Sequence, residues 1–201
     1  MIYSVDQQAR TPELFLEMAC RNSANKSILQ RIGYLGAKDA WLVAGCLYQS
    51  LWNILSDRPV TENIKDYDIF YHDAVDTSYA AEDAIIRRGA ALFADLGVEV
   101  EIRNQARVHL WYEARFGHPR APLRSSEHGI SSFLVTGTCV AIGSDGKGGY
   151  RTAAPYGLDE MFEGVLRANK LYAQRDLFEA KAESYVARWP WLQTVGWDDT
   201  P

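Results

Sequence analysis

The sequence predicts an α/β fold in which a small mixed β-sheet is flanked by helices, with further helices added at the N- and C-terminal ends. Two observations predict this class: short apolar or alternating segments of strand type recur along the chain, and segments with helical spacing separate them. Because the 201 residues contain no repeat, linker or long run of like charge, we expect one domain over residues 1–201. Strands are expected at 40–44, 66–71 and 98–102, and a hairpin from 138–142 and 150–153.

The expected helices are delimited by capping residues, glycine and proline. Thr11 and Pro12 predict a helix start, because threonine caps helices and proline suits the first turn. A helix over 28–34 should end at Gly33 or Gly36, since glycine readily adopts the left-handed conformation that closes helices. Further helices are expected at about 47–55, 78–96, 104–116, 158–166 and 171–188.

The composition is that of an ordinary globular protein. The chain is 47% hydrophobic and 23% charged, which excludes wholly disordered and low-complexity proteins. The formal net charge of -5 argues against a protein that coats nucleic acid through bulk charge, and we expect no DNA partner. The three scattered cysteines suit reduced thiols. With neither a leader-like N-terminus nor an apolar run of membrane-spanning length, the sequence predicts a cytoplasmic protein without membrane contact.

Four acids on two expected strands are the candidates for chemistry. Asp66 and Asp68 share one strand face, about 7 Å apart, and Glu99 and Glu101 share one face of the next strand. An isolated acid-x-acid pair is usually a solvated strand end, but converging carboxylates inside a fold repel one another unless a cation neutralises them. Mg²⁺ is the expected ion and Mn²⁺ the alternative, because both prefer oxygen ligands and phosphates can complete their coordination.

The turn between the first strand and its helix is a candidate phosphate site. Gly45 and Cys46 are small residues at a helix start, where backbone N–H groups and the helix dipole favour anions. One glycine is much weaker evidence than a complete phosphate-binding loop, which the sequence lacks.

These segments resemble a known superfamily. Ala44-Gly45-Cys46 entering a helix, followed by Asp66-Tyr67-Asp68-Ile69 and a later strand acid, is similar to the catalytic signature of the DNA polymerase beta-like nucleotidyltransferases. A longer resemblance, to the bacterial family described only as nucleotidyltransferase-like proteins, rests on AGCLYQSLWN, KDYDIFYHD, VEIRNQARVHLWYEARFG and APYGLDEMFEGVLRANK. Together these segments span most of the chain, and NQARVHLWYE is the most specific of them.

The resemblance implies transfer of a nucleoside monophosphate from an NTP to a hydroxyl acceptor. Asp66 and Asp68 would be ligands of two Mg²⁺ ions, with Glu101 as the third carboxylate and Glu99 as its competitor. The superfamily often carries glycine or serine where this chain has Cys46, and a thiol does not bind phosphate as a serine hydroxyl does. This difference from the superfamily pattern removes one group that would bind the triphosphate.

A basic stretch follows the last of these acids. From Arg103 to Arg124 the chain has five arginines and two histidines but only one acid, Glu113. Arg107 is the best phosphate candidate, because it lies within the family-like motif close to Glu101. The alternative for each arginine is a solvated helix face or an ion pair with Glu99, Glu101 or Glu113.

Three functions are compatible with these residues. The first is a Mg²⁺-dependent nucleotidyltransferase acting on an NTP, with an RNA, a small molecule or a protein as acceptor. The alternative is a catalytically inactive module that binds a nucleotide or RNA, because a fold can keep binding after losing its chemistry. A metal-dependent phosphohydrolase using the same carboxylates is the third, although the histidines that such enzymes often add form no cluster in this sequence.

Overall fold

The computed structural model describes residues 10–200. Residues 1–9, which bear on the expected absence of a leader, and residue 201 lie outside the described part. The helices are α1 (Pro12–Cys20), α2 (Ser23–Arg31), α3 (Gly45–Leu55), α4 (Tyr79–Leu92), α5 (Tyr112–Phe116), α6 (Ser126–Ile130), α7 (Asp159–Glu163) and α8 (Arg175–Arg188). The strands are β1 (Trp41–Val43), β2 (Asp66–Tyr71), β3 (Glu99–Asn104), β4 (Ala141–Ser144), β5 (Tyr150–Ala153), β6 (Val165–Leu166) and β7 (Gln193–Thr194).

Five of the strands form one mixed sheet in the order β3-β2-β1-β4-β5. β2 and β3 run parallel, whereas β1 pairs antiparallel with both β2 and β4, and β4 pairs antiparallel with β5. α4 lies between β2 and β3 in the chain, as expected because parallel strands need a long crossover connection. The predicted α/β class, a small mixed sheet flanked by helices, is confirmed.

The two faces of this sheet have different surroundings. On one side, which we call the core face, Leu42, Ile69 and Ile102 are buried in the main hydrophobic core together with side chains of α1, α2 and α3. On the other, which we call the cleft face, Trp41 and Val43 belong to a smaller apolar cluster that includes residues of α6 and β4. The alternation along β2 separates the two, because its odd-numbered residues are buried and its even-numbered ones are partly exposed.

Several predicted helix ends are confirmed. Thr11 Oγ1 accepts a hydrogen bond of 3.2 Å from the Leu14 N–H at the start of α1. Gly36, with φ of 69°, closes a 3₁₀ turn over Ile32–Leu35 that continues from α2. α2 itself begins earlier than expected, at Ser23, because Asn22 caps it by accepting from the Ala24 N–H at 3.0 Å.

Several predicted elements are wrong in their extent. Residues 104–116 form a 3₁₀ helix, Gln105–Leu110, followed by α5, because Trp111 with φ of -129° interrupts the helix. The helix over 158–166 ends at Glu163, since Gly164 turns the chain with φ of 71° and a Cβ there would lie 2.2 Å from the Trp191 ring. The first hairpin strand begins only at Ala141, after a 3₁₀ turn over Thr136–Thr138.

The C-terminal segment packs on the core, as the sequence predicts. The helix predicted for 171–188 begins at Arg175, and two tryptophans follow its end. Trp189 is fully buried and donates a hydrogen bond of 2.8 Å to Asn53 Oδ1 on α3, and Trp191 donates at 2.9 Å to Ser56 Oγ. α8 is thereby fixed beside α3. Within residues 10–200, no helix is both long and apolar enough to cross a membrane.

Candidate active site

Four acids lie together on two adjacent strands, as the alternation predicts. In the parallel pairing of β2 with β3, Asp68 is in register with Glu101 and Asp66 with Glu99. Neighbouring strands lie about 4.8 Å apart, so the carboxylates form two adjacent pairs on one face. The sheet thus brings together acids that are more than thirty residues apart in the chain.

Asp68 lies at the centre of this negative charge. Burial, followed by the neighbouring charges of Asp66 and Glu101, raises the pKa of the Asp68 carboxyl to about 7, and the charges of Arg103 and Lys181 only partly oppose this rise. The nearby cations therefore do not balance the carboxylates. A divalent cation would relieve the excess negative charge, because it is the strongest local charge such a site can hold.

Glu101 is paired with a cation of its own strand. Its Oε2 accepts a hydrogen bond of 3.0 Å from Arg103 Nη2. Among residues 10–200, no three His, Cys, Asp or Glu side chains are already arranged to hold a metal ion. The carboxylate oxygens suit Mg²⁺ or Mn²⁺ in kind, and Glu101 would have to leave Arg103 to complete the set. Glu99, its competitor, is exposed.

The turn from β1 into α3 is unusual in its backbone. Ala44 adopts φ of 62° and ψ of -141°, a conformation that costs a residue with a Cβ about 1–3 kcal/mol. Gly45, the residue the sequence singled out, is the first residue of α3 and has no positive φ. Strain of this kind persists only where the surrounding structure imposes it. Ala44 also lines the cleft, so the strained turn lies at the candidate site.

Cys46 faces away from the cleft. Its thiol is fully buried, donates to the Val43 carbonyl at 3.3 Å, and has a pKa raised well above its ordinary value by burial. The Cys46 carbonyl accepts from Asn25 Nδ2 at 2.8 Å and from Ser50 Oγ at 2.7 Å. The side chain is thus a core residue, and only the main chain at Gly45 and Cys46 remains available to a phosphate at the helix N-terminus.

A cleft of about 580 Å³ opens over this face of the sheet. Ala44 and Tyr48 of the turn and α3, and Asp68 of β2, form its floor on one side. Arg103 and Lys181 also line the cleft, so that two cations stand beside the carboxylates. The remaining walls come from the segment 105–123, from residues 129–138 and from α8.

Arg107, the predicted phosphate ligand, lies outside the residues that line this cleft. Its Nε is 2.9 Å from Glu82 Oε2, and the side chains of both are almost fully buried. The guanidinium also donates to the Thr77 carbonyl. Glu82 in addition accepts a hydrogen bond of 2.9 Å from the Asn104 N–H. The structure therefore pairs Arg107 with α4, and it brings Arg103 to the cleft in its place.

The sequence is matched by a family model described as Nucleotidyltransferase, over residues 30–194. This range holds both strands with their four acids, the turn into α3 and all of α8. The chain belongs to this nucleotidyltransferase family. No curated protein sequence matches it.

The fold of this nucleotidyltransferase is shared with a solved structure. That structure, determined by NMR, is titled as one that reveals a CCA-adding enzyme head domain. The two chains superpose with a TM-score of 0.72 over 94% of this chain and 98% of the other, at 21% sequence identity. At this identity the likeness concerns the fold.

The sequence does not single out Lys181 on α8, a charged residue that lines the cleft of this nucleotidyltransferase. Its ammonium lies 5.2 Å from the Tyr185 ring centre, and its charge acts on both Asp66 and Asp68. Although the side chain keeps contact with solvent, partial loss of hydration, with the nearby charge of Arg188, lowers the pKa of Lys181. The only sequence signal was its i, i+4 spacing to an aromatic residue, which is common on helices.

Trp111 and Tyr112 combine the two roles that the sequence left open. Tyr112 is almost fully buried in a small cluster with Val108 and Leu123, as core packing predicts. Both rings also line the cleft, where Phe116 lies 4.7 Å from Tyr112, centre to centre. Trp111 and Tyr112 therefore pack within the fold and also present part of their ring surface to the cleft.

Proposed function

We propose that this protein transfers a nucleoside monophosphate from an NTP to a hydroxyl acceptor in a divalent-metal-dependent reaction. The observation that carries the proposal is the register of Asp66 and Asp68 with Glu99 and Glu101, beside the strained turn into α3, in a chain of the nucleotidyltransferase family. This arrangement supports a site for metal and phosphate at one edge of the cleft, because carboxylate oxygens and a helix N-terminus lie close together there.

The proposed metal ligands are Asp66, Asp68 and Glu101, with Mg²⁺ as the ion and Mn²⁺ as the alternative. When bound, such ions activate the acceptor hydroxyl and neutralise charge on the leaving pyrophosphate. Glu101 is preferred over Glu99 because it is in register with Asp68, the acid that lines the cleft. Its present partner Arg103 would be freed to meet a phosphate when Glu101 turns to the metal.

The triphosphate is proposed to lie between the N-terminus of α3 and the two cleft cations. The first N–H groups of a helix carry partial positive charge and lack partners within the helix, so they bind phosphate oxygens. The buried thiol of Cys46 cannot bind phosphate, so Lys181 and Arg103 would supply the remaining contacts to the triphosphate. Neither residue needs a long movement, because both already line the cleft.

The acceptor stays open among an RNA, a small molecule and a protein. The likeness to a structure titled as a CCA-adding enzyme head domain suggests RNA. The sequence offered the basic stretch as a candidate binding surface for RNA. The structure weakens that argument, because three of the arginines already have partners within the fold: Arg103 pairs with Glu101, Arg107 with Glu82, and Arg120 with Ser132.

The experiment that tests the function follows label from an α-³²P NTP into RNA, small-molecule and protein fractions of a cell extract. We expect Mg²⁺-dependent label in one fraction, lost in Asp66→Asn and kept in the control Asp57→Asn, whose carboxylate is exposed and outside the cleft. Glu101→Gln should reduce transfer much more than Glu99→Gln, which tests the choice of third ligand.

Three results would contradict the proposal. Transfer that survives Asp66→Asn would remove the carboxylates from the chemistry. Metal-dependent NTP binding without transfer into any fraction would favour the inactive binding module. Release of inorganic phosphate without label transfer would point to a phosphohydrolase.

A further inference from the structure

The cleft contains a region far more aromatic than a triphosphate site needs. We call the part lined by Phe70, Trp111, Tyr112, Phe116 and Phe133 the aromatic chamber. Phe70 and Phe133 pack edge to face with centres 5.7 Å apart, and the other three rings form a second group on the segment 105–123. Phe70, Trp111 and Phe133 are each only partly buried, so they keep surface for a ligand.

The cleft is of a size and character typical of small-ligand sites. Its volume of about 580 Å³ lies within the roughly 300–1,000 Å³ of pockets that enclose small molecules, and such pockets are mostly apolar with a few polar groups. Several polar groups of the lining are already engaged: Ser132 and Thr138 donate to backbone carbonyls at 2.7 and 2.8 Å, and Arg120 donates to Ser132. The chamber therefore offers ring surface more than hydrogen bonds.

The same cleft contains the groups that attract phosphate. Ala44 at the strained turn, Arg103 and Lys181 line it together with the rings. Of the four acids, only Asp68 lines the cleft. Asp66, Glu99 and Glu101 lie outside the lining, on the far side of Asp68. An anionic triphosphate is therefore drawn to the cleft side of Asp68 and repelled from the other side.

We propose that the aromatic chamber binds the nucleoside part of the NTP, with the base against its rings and the phosphates directed toward Ala44 and Lys181. This rests on the proposed nucleotidyl transfer and adds where the nucleotide lies. Stacking supports every base, because each has a flat π-face, so we expect weak discrimination among the four bases. The acceptor then approaches from the exposed side of Asp66 and Glu101.

The alternative occupant is the acceptor itself. If the acceptor filled the chamber, the triphosphate would have to bind among the three acids Asp66, Glu99 and Glu101 instead of in the cleft lined by Lys181. The charge distribution disfavours that arrangement, and the nucleotide is the better occupant.

The test uses binding without metal, so that the carboxylates do not contribute. Adenosine, guanosine, cytidine and uridine would be titrated into the full chain in EDTA and followed by NMR of the tryptophan indole N–H signals, with Trp111 assigned from its absence in Trp111→Phe. We expect at least one nucleoside to shift the Trp111 signal. Trp111→Ala should weaken nucleoside binding about tenfold or more, whereas Trp111→Phe should retain most of it.

The matched control is Tyr34→Ala, which removes an aromatic ring that is 77% exposed and outside the cleft. It should bind nucleosides as the unmodified chain does. The Trp111 shift is measured on the unmodified chain, so it decides the question even if Trp111→Ala proves too unstable to study.

Two results would overturn the chamber proposal. One is the absence of any Trp111 shift with all four nucleosides in a protein that binds NTP. The other is a folded Trp111→Ala variant that binds both nucleosides and NTP as tightly as the unmodified chain does. Asp68→Ala separates this proposal from the proposed function: it should abolish transfer and leave nucleoside binding intact, so either can fail alone.

Discussion

The core face and the cleft face of the same sheet differ in how their polar groups are paired. On the core face, Asn22 belongs to a buried polar network, in which its Nδ2 donates to Ser50 Oγ at 3.0 Å and to Tyr67 OH at 3.1 Å. On the cleft face, Asp68 is partly buried among like charges, and the adjacent Ala44 has a strained backbone. A paired network stabilises a fold, whereas unpaired charge and strain cost stability and are typical of sites that bind or react.

Asp68→Asn should separate activity from stability most strongly. We expect nucleotidyl transfer to fall by about 10²–10³-fold, comparable to the loss of one electrostatic group in other active sites. The melting temperature should rise by about 2–4 °C, because the variant no longer buries a charge near Asp66 and Glu101. Thermal unfolding in EDTA measures this, with Asp57→Asn as the control that changes neither quantity. A lower melting temperature would show that the carboxylates are balanced after all.

On the core face, Asn22→Ala should lower the free energy of unfolding by about 2–4 kcal/mol. The variant loses the cap of α2 and leaves the buried hydroxyl of Tyr67 without its partner. Urea unfolding measures the change, and Asn63→Gly is the control, at an exposed asparagine whose φ of 59° glycine adopts without strain. An effect no larger than the control's would remove the contrast between the two faces.

The buried tyrosine pair that joins α3 to α8 should make the free energy of unfolding fall at alkaline pH. Tyr48 OH and Tyr185 OH lie 2.5 Å apart, and burial raises the pKa of Tyr48 from 10 to about 12. In the unfolded chain Tyr48 ionises near pH 10, so its stabilising effect is fully present below pH 10. It is lost at about 1.4 kcal/mol per pH unit up to pH 12. Urea unfolding between pH 9 and 11 should show a shallower loss in Tyr48→Phe, while the exposed control Tyr34→Phe keeps the slope of the unmodified chain.

Ala44→Gly should give the smallest effect, a gain of about 1 kcal/mol in stability. Glycine adopts the conformation of Ala44 without strain, and this relief exceeds the added flexibility of the unfolded chain. Ala84→Gly, in the exposed part of α4, should instead lose about 1 kcal/mol. Equal losses in both variants would show that the turn is not strained.

The site was partly predictable for identifiable reasons. Asp66 and Asp68 could be found because strand alternation alone puts them on one face, and β2 has the predicted bounds. Nothing in the sequence singles out Glu82, since an acid on a helix is usually solvated, yet it is buried and pairs with Arg107, which does not line the cleft. Lys181 could not be found, because no local pattern tells which helix will return to the cleft.

The sequence by itself determined the class of fold, the two acid-bearing strands and the glycine and capping positions that end several helices. These depend on residues near one another in the chain, whose spacing and backbone preferences act locally. Only the tertiary structure decided that Glu101 stands in register with Asp68, that Cys46 faces the core, and that Lys181 and the aromatic chamber complete the cleft. Those placements depend on how segments that are distant in the chain pack together, and this packing is determined by the burial of apolar side chains from many elements at once.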